Sequence, residues 1–344
     1  MKKGIFLCGI SGILMLGLLI ITNPSLCTEG AVKGIVLCGK IIIPSLFPFT
    51  VCVMFILKSG ILDIFGFLDK FTLKIWGLTS QMFMIFLLSL IGGYPLGAKI
   101  LNETKADDKT KSRMLNFCVN AGPAFIILAV GLGKFGSKKI GYILFFSHIL
   151  SSFILSLIFR NKNCQSSKKT PSKLNAVDNF VLSTSQSATV TLNICSFVIL
   201  FSVIINYLNF YSAKFPFLKW LALILEVTNA INLNRNILVI SFLLGFGGIC
   251  IWCQVLSVSA KIKINYPIFI ISRIIHGFLS VVFTYFLLKV FGITLPAISN
   301  VHTVTFLPFQ NNLAVAVSMI TMGIILVISL YSKKYTGNLL EDLV

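Results

Sequence analysis

Ten apolar runs organise this chain, and several of them are uncharged over the roughly 20 residues that a helix needs to cross a bilayer. They fall at about 5–21, 32–57, 82–101, 114–132, 140–159, 189–208, 217–233, 237–259, 267–290 and 314–330. With 56% of 344 residues hydrophobic and 11% charged, a water-soluble domain has too little polar surface to draw on. The expected fold is an all-α polytopic membrane protein.

The net charge of +19 would point to nucleic acid in a soluble protein. Here the Lys and Arg residues sit in short connections between apolar runs, where they act as topology signals, so no nucleic-acid partner is expected. If all ten runs cross, the 29 basic residues divide almost evenly between the two sides. If 82–101 and 217–233 instead turn back as re-entrant hairpins, most of them fall on one side, as the positive-inside rule requires. The sequence therefore predicts about eight transmembrane helices plus two re-entrant hairpins.

In that arrangement the halves on either side of the polar interval run in opposite directions. A shift of 125 residues aligns Ser147-His148-Ile149 with Ser272-Arg273-Ile274 and Gly122 with Gly247. An inverted repeat follows, and inverted repeats with interrupted helices are a common construction of secondary transporters. The domains read as a first transmembrane helix (1–31), a first repeat (32–160), a basic cytoplasmic linker (161–185), a second repeat (186–290), and a loop with a last transmembrane helix (291–344). The first run is longer than a signal peptide's apolar core and lacks a clear small-x-small cleavage site, so it is read as retained.

Two Gly/Pro interruptions fall inside apolar runs. Unpaired backbone groups are tolerated at membrane depth only where protein or a polar cavity covers them. The first is Gly92-Gly93-Tyr94-Pro95-Leu96-Gly97-Ala98-Lys99 and the second Asn120-Ala121-Gly122-Pro123. Pro95 and Pro123 suit the first turn of a new half-helix, where a missing N–H has no partner to lose. Two such N-termini aimed into one cavity favour an anion. The substrate-binding candidates are thus Gly92, Gly93, Tyr94, Pro95, Gly97, Lys99, Asn120, Gly122 and Pro123, with Lys99 equally readable as a snorkelling residue.

The second half is more polar than proline-broken. Its hairpin contributes Thr228 and Asn229 as further binding candidates, and Glu226 as a coupling-ion ligand, a proton carrier or a partner for Lys99. His148, Arg273 and His276 read as hydrogen-bonding links between helices.

The nine cysteines lie mostly in apolar runs and suggest neither a disulfide framework nor a metal site; Cys250-Ile251-Trp252-Cys253 has no second ligand pair. No Ser-His-Asp arrangement, HExxH or P-loop spacing is present, so no enzyme, metal or cofactor is expected.

Ile43-Pro44-Ser45-Leu46-Phe47-Pro48-Phe49, the Gly92–Lys99 string and Asn120-Ala121-Gly122-Pro123, at these spacings, resemble the sporulation integral membrane proteins of the YlbJ type. That group carries a nucleoside-recognition or Gate domain and is similar to concentrative nucleoside transporters. The resemblance covers about residues 33–160, and the second half by architecture, without a matching Gly-Pro hairpin there. It implies a transporter in the cell membrane or the outer forespore membrane of a spore-forming bacterium, moving a small organic anion such as dipicolinic acid. A proton or Na⁺ as coupling ion and a homo-oligomer are compatible with it. A nucleoside or nucleobase carrier, and a non-transporting sporulation scaffold, are the alternatives.

Overall fold

The computed structural model describes residues 2–161, 175–227 and 236–293, with side chains from Ile10 onward. Every regular element among the described residues is helical. Five helices are long and apolar enough to cross a membrane: Pro24–Lys58, Lys138–Ile158, Ala176–Tyr211, Ile237–Val258 and Tyr266–Val290. Ile61–Trp76 and Ser80–Gly92, folded by 78°, make a sixth if read as one span. The protein is an integral membrane protein. The expected last span at 314–330 and the tip of the second hairpin lie outside the described residues.

The chain opens with α1 (Lys2–Thr22) and α2 (Pro24–Leu37), joined at Asn23, where Pro24 starts the new helix. The Tyr207 hydroxyl donates at this corner, where the Leu19 and Asn23 carbonyls lie 2.9 and 2.7 Å away. A π-helical turn, Cys38–Ile42, links α2 to α3 (Ile43–Lys58). Gly30 and Gly34, one helical turn apart, let α2 lie directly on the backbone at Val203 and Ile199. Small residues at that spacing are a membrane-packing device, because close backbone approach replaces the hydrophobic drive that lipid removes.

After a 3₁₀ segment (Ile61–Leu68) and α4 (Asp69–Trp76) come α5 (Ser80–Gly92) and α6 (Tyr94–Glu103). These two fold back on each other at Gly93. A Cβ on Gly97 would collide with the Ser89 side chain and the Cys118 carbonyl. Phe86 of α5 packs edge-on against Phe117 and Phe153, at 5.2 and 5.1 Å, which fixes this arm to its neighbours.

The run at 114–132 is not one helix. It divides into α7 (Asp108–Leu115), an unwound stretch from Asn116 to Gly122, and a π-helix (Ala124–Lys134) entered through Pro123. Next comes α8 (Lys138–Ile158).

The following helix, α9, spans Ala176–Tyr211, 36 residues and so about 54 Å. It begins well before the expected 189, inside the stretch read as linker. Asn175 caps it by accepting from the Asp178 N–H at 2.8 Å. Its early residues look like a loop because they are polar, yet Asn179, Ser183, Thr184 and Ser187 are buried. Thr184, Ser187 and Thr191 return their hydroxyls to carbonyls four residues back, and Asn179 reaches the Phe55 carbonyl. Polarity satisfied inside a helix carries no loop signal. Residues 162–174 of that linker lie outside the described residues. The second half continues with α10 (Leu218–Leu225), α11 (Ile237–Phe246), α12 (Gly248–Val258) and α13 (Tyr266–Val290).

Candidate functional site

Four interruptions meet in the interior. Gly93 turns α5 into α6 with φ +84°, a conformation that suits only glycine, and Pro95 occupies the first turn of α6. The unwound stretch passes directly beneath it: a Cβ on Gly122 would sit 3.2 Å from the Ile91 carbonyl oxygen and 3.4 Å from the Gly93 nitrogen. From the second half, Gly247 and Gly248 separate α11 from α12, both with positive φ. Gly248 lies against the Ile224 and Leu225 carbonyls, where α10 ends at Glu226.

Tyr94 joins the two halves. Its hydroxyl donates to the Leu244 carbonyl at 2.7 Å, in the last turn of α11, and its ring approaches Gly247. This substrate-binding candidate is therefore anchored to the opposite half.

Between these breaks lies a cavity of about 50 Å³. Gly93, Tyr94, Pro95, Gly122, Glu226 and Gln254 line it, together with Ser45 and apolar side chains such as Leu46, Phe125, Ile194 and Ile251. Glu226 is only 3% exposed. The volume suits a water molecule or two and is far below the several hundred Å³ of a usual ligand pocket. The site is closed.

Of the residues proposed from sequence, Gly93, Tyr94, Pro95, Gly122 and Glu226 come together on this cavity. Gly92, Gly97, Asn120 and Pro123 adjoin it in sequence without lining it. Gly97 instead provides the close approach to Cys118, and Asn120 donates to the Phe117 carbonyl at 2.8 Å and to Ser89 at 3.3 Å. Lys99 is not on the cavity; it pairs with Glu103 one turn along α6, at 2.9 Å, rather than with Glu226. Thr228 and Asn229 lie outside the described residues.

The unwound stretch is held by side chains from α8 and α13. Arg273, buried in α13, donates to the Val119 carbonyl at 2.6 Å and to the Asn116 carbonyl. Ser152 of α8 donates to the Phe117 carbonyl at 2.8 Å. His148 accepts the Ala121 N–H on Nε2 at 3.0 Å, so its proton sits on Nδ1. His276 Nε2 lies 3.2 Å from the His148 carbonyl and must donate to it, which leaves its Nδ1 to face Arg273 at 3.4 Å. Among the described residues no carboxylate lies within ion-pair distance of Arg273. The sequence marks Arg273, His148 and His276 as interhelical links and gives no sign that their partners are backbone groups of one unwound stretch.

Among known proteins, the sporulation integral membrane protein YlbJ of Bacillus subtilis (strain 168) is 23% identical over 324 aligned residues, covering 78% of this chain and 79% of that protein. The chain is similar to YlbJ over most of its length. The resemblance carried by the Gly92–Lys99 and Asn120–Pro123 motifs thus extends well beyond residues 33–160. No family model matches the chain, and no solved structure matches it with significance.

Proposed function

We propose that the protein is a sporulation-associated secondary transporter of a small organic anion, with dipicolinate as the favoured substrate, acting in the membrane around the developing spore. The observation that carries this reading is the meeting of helix breaks from both halves on one buried cavity, the construction by which transporters make a midplane site. The similarity to YlbJ supports the sporulation setting.

In this reading α5 and α6 form a re-entrant hairpin. Their 13 and 10 residues reach about 20 and 15 Å, short of the roughly 30 Å hydrocarbon core. The broken segments around Gly122 and Gly247 are each other's counterparts in an inverted repeat. The half-helix starts at Pro95 and Pro123 favour negative charge. Glu226 opposes it, since a carboxylate on the wall repels an anionic guest. Glu226 therefore holds a proton while the anion is bound, which makes it the coupling group. The protein is a carrier in this account and not an enzyme.

Glu226 and Gln254, both lining the cavity, also give specific support to a second reading, a nucleoside carrier, because they offer hydrogen bonds to a neutral sugar or base.

Uptake of labelled dipicolinate and of uridine into proteoliposomes, at pH 5.5 and 7.5, separates the two. Dipicolinate uptake that is stronger at acid pH, and whose pH dependence disappears in Glu226→Gln, is the expected result. Uptake of uridine alone would establish the second reading, and uptake of neither would remove both.

A further inference from the structure

The opposite end of the hairpin holds a second, larger pocket that the central cavity does not explain. It measures about 560 Å³ and opens where α3 and α6 end and α7 begins. Ten residues of α6 put it about 15 Å from the cavity. Four lysines line it: Lys58 at the end of α3, Lys105 and Lys111 on either side of the turn into α7, and Lys261 after α12. Asn102 draws the Lys261 segment in by accepting its backbone N–H at 2.9 Å.

The charge in this pocket is unbalanced. Its one acidic lining residue, Glu103, is already paired with Lys99. Lys111 is 92% buried, at 8% exposure, and its ammonium has no acceptor or carboxylate partner among the described residues. A lysine placed this way buries its aliphatic stem and keeps its charged head at the water-filled pocket, open to a counter-charge. The floor supplies a different chemistry: Met82 and Ile85 of α5 are apolar. Lysines bind oxyanions as point charges, and several around one pocket favour a ligand with more than one negative charge. An apolar floor favours a ligand with a carbon body over inorganic phosphate. The volume lies within the range of about 300–1,000 Å³ for small-molecule sites.

We infer that this lysine pocket is a binding site for a small organic dianion, a dicarboxylate with an aromatic or aliphatic body, separate from the central cavity. The inference goes beyond the transport reading and holds whether or not the cavity carries a substrate.

The test is equilibrium binding of phthalate, an aromatic dicarboxylate, to the purified full chain in neutral detergent, with benzoate as its monoanion. Phthalate is expected to bind at least tenfold more tightly than benzoate, and more weakly as salt rises. Lys111→Met should lower phthalate affinity tenfold or more. Because Lys111 is buried, the double variant K105M/K261M, which changes two exposed lysines, provides an independent reading with the same expected direction. Binding unaffected by the lysine changes, or binding that responds to Glu226→Gln instead, would overturn the inference. So would phthalate binding that is present in detergent but abolished in phosphatidylglycerol nanodiscs and restored in neutral-lipid nanodiscs, since the pocket would then be a lipid headgroup site.

Discussion

The two halves of the molecule interrupt their helices differently, and the difference lies in what replaces the missing hydrogen bonds. In the first half the chain unwinds from Asn116 to Gly122, and Arg273, Ser152 and His148 reach in from α8 and α13 to serve its carbonyls and the Ala121 N–H. In the second half the break between α11 and α12 is confined to Gly247 and Gly248. There the change of direction is made by left-handed backbone, φ +84° and +81°, and the Gly247 N–H still closes back on the Leu243 carbonyl at 2.8 Å. A long interruption in a membrane protein thus depends on distant side chains, whereas a short one is met by local conformation. The long break is the one stabilised from outside, so its geometry is tied to the packing of α8 against α13.

That contrast sets the order of expected effects. Arg273→Leu should destabilise most, by about 2–6 kcal/mol, because two buried carbonyls lose their donors at about 1–3 kcal/mol each. Thermal denaturation of the purified protein in detergent measures it. Arg273→Lys should recover only part, since a single ammonium does not reproduce the guanidinium fork. Full recovery by lysine would mean that charge, not geometry, holds the stretch.

Gly247→Ala should cost less, about 1–2 kcal/mol, the penalty for placing a side chain in left-handed backbone. A larger loss in the same assay would show that the short break also depends on packing, which erases the contrast.

The smallest expected effect is at Asp107, which caps the helix leading into the unwound stretch by accepting from the Thr110 N–H at 2.9 Å. Asp107→Ala should cost about 1 kcal/mol. Partial burial pushes this carboxyl up, but hydrogen bonds from Thr110 and neighbouring backbone groups outweigh it and hold it below the usual carboxylate range. Its stabilising contribution is therefore present above about pH 3.9, the ordinary value, and is lost as pH falls through the lower folded value. The wild type and Asp107→Ala should differ in melting temperature at pH 7 and converge in strong acid.

Much of the site was legible because its signals are local. Gly93, Pro95 and Gly122 fall in two Gly/Pro strings that mark where a helix is interrupted, and Glu226 announces a charge that needs a reason in an apolar run; Gly247, with no proline beside it, reads as part of one continuous span. The role of Arg273 was not legible, because backbone carbonyls carry no residue identity and a sequence cannot say which ones a side chain will meet. Lys99 misled in the opposite sense: its closeness to Pro95 in sequence suggested the cavity, but Glu103 one turn further on captures it. The early part of α9 was hidden because Ser and Thr that bond within their own helix look like loop residues.

The sequence by itself determined that this is a helical membrane protein with interruptions at Gly92–Pro95 and Asn120–Pro123, since length, apolarity and the fixed torsions of Gly and Pro act within a few residues. Only the tertiary structure decided that these breaks share one cavity with Glu226 and Gln254, that Tyr94 ties one half to the other, and that four separated lysines converge at the far end of α6. Those are relations between segments distant in the chain, several of them more than a hundred residues apart, set by how the helices pack and visible only once they do.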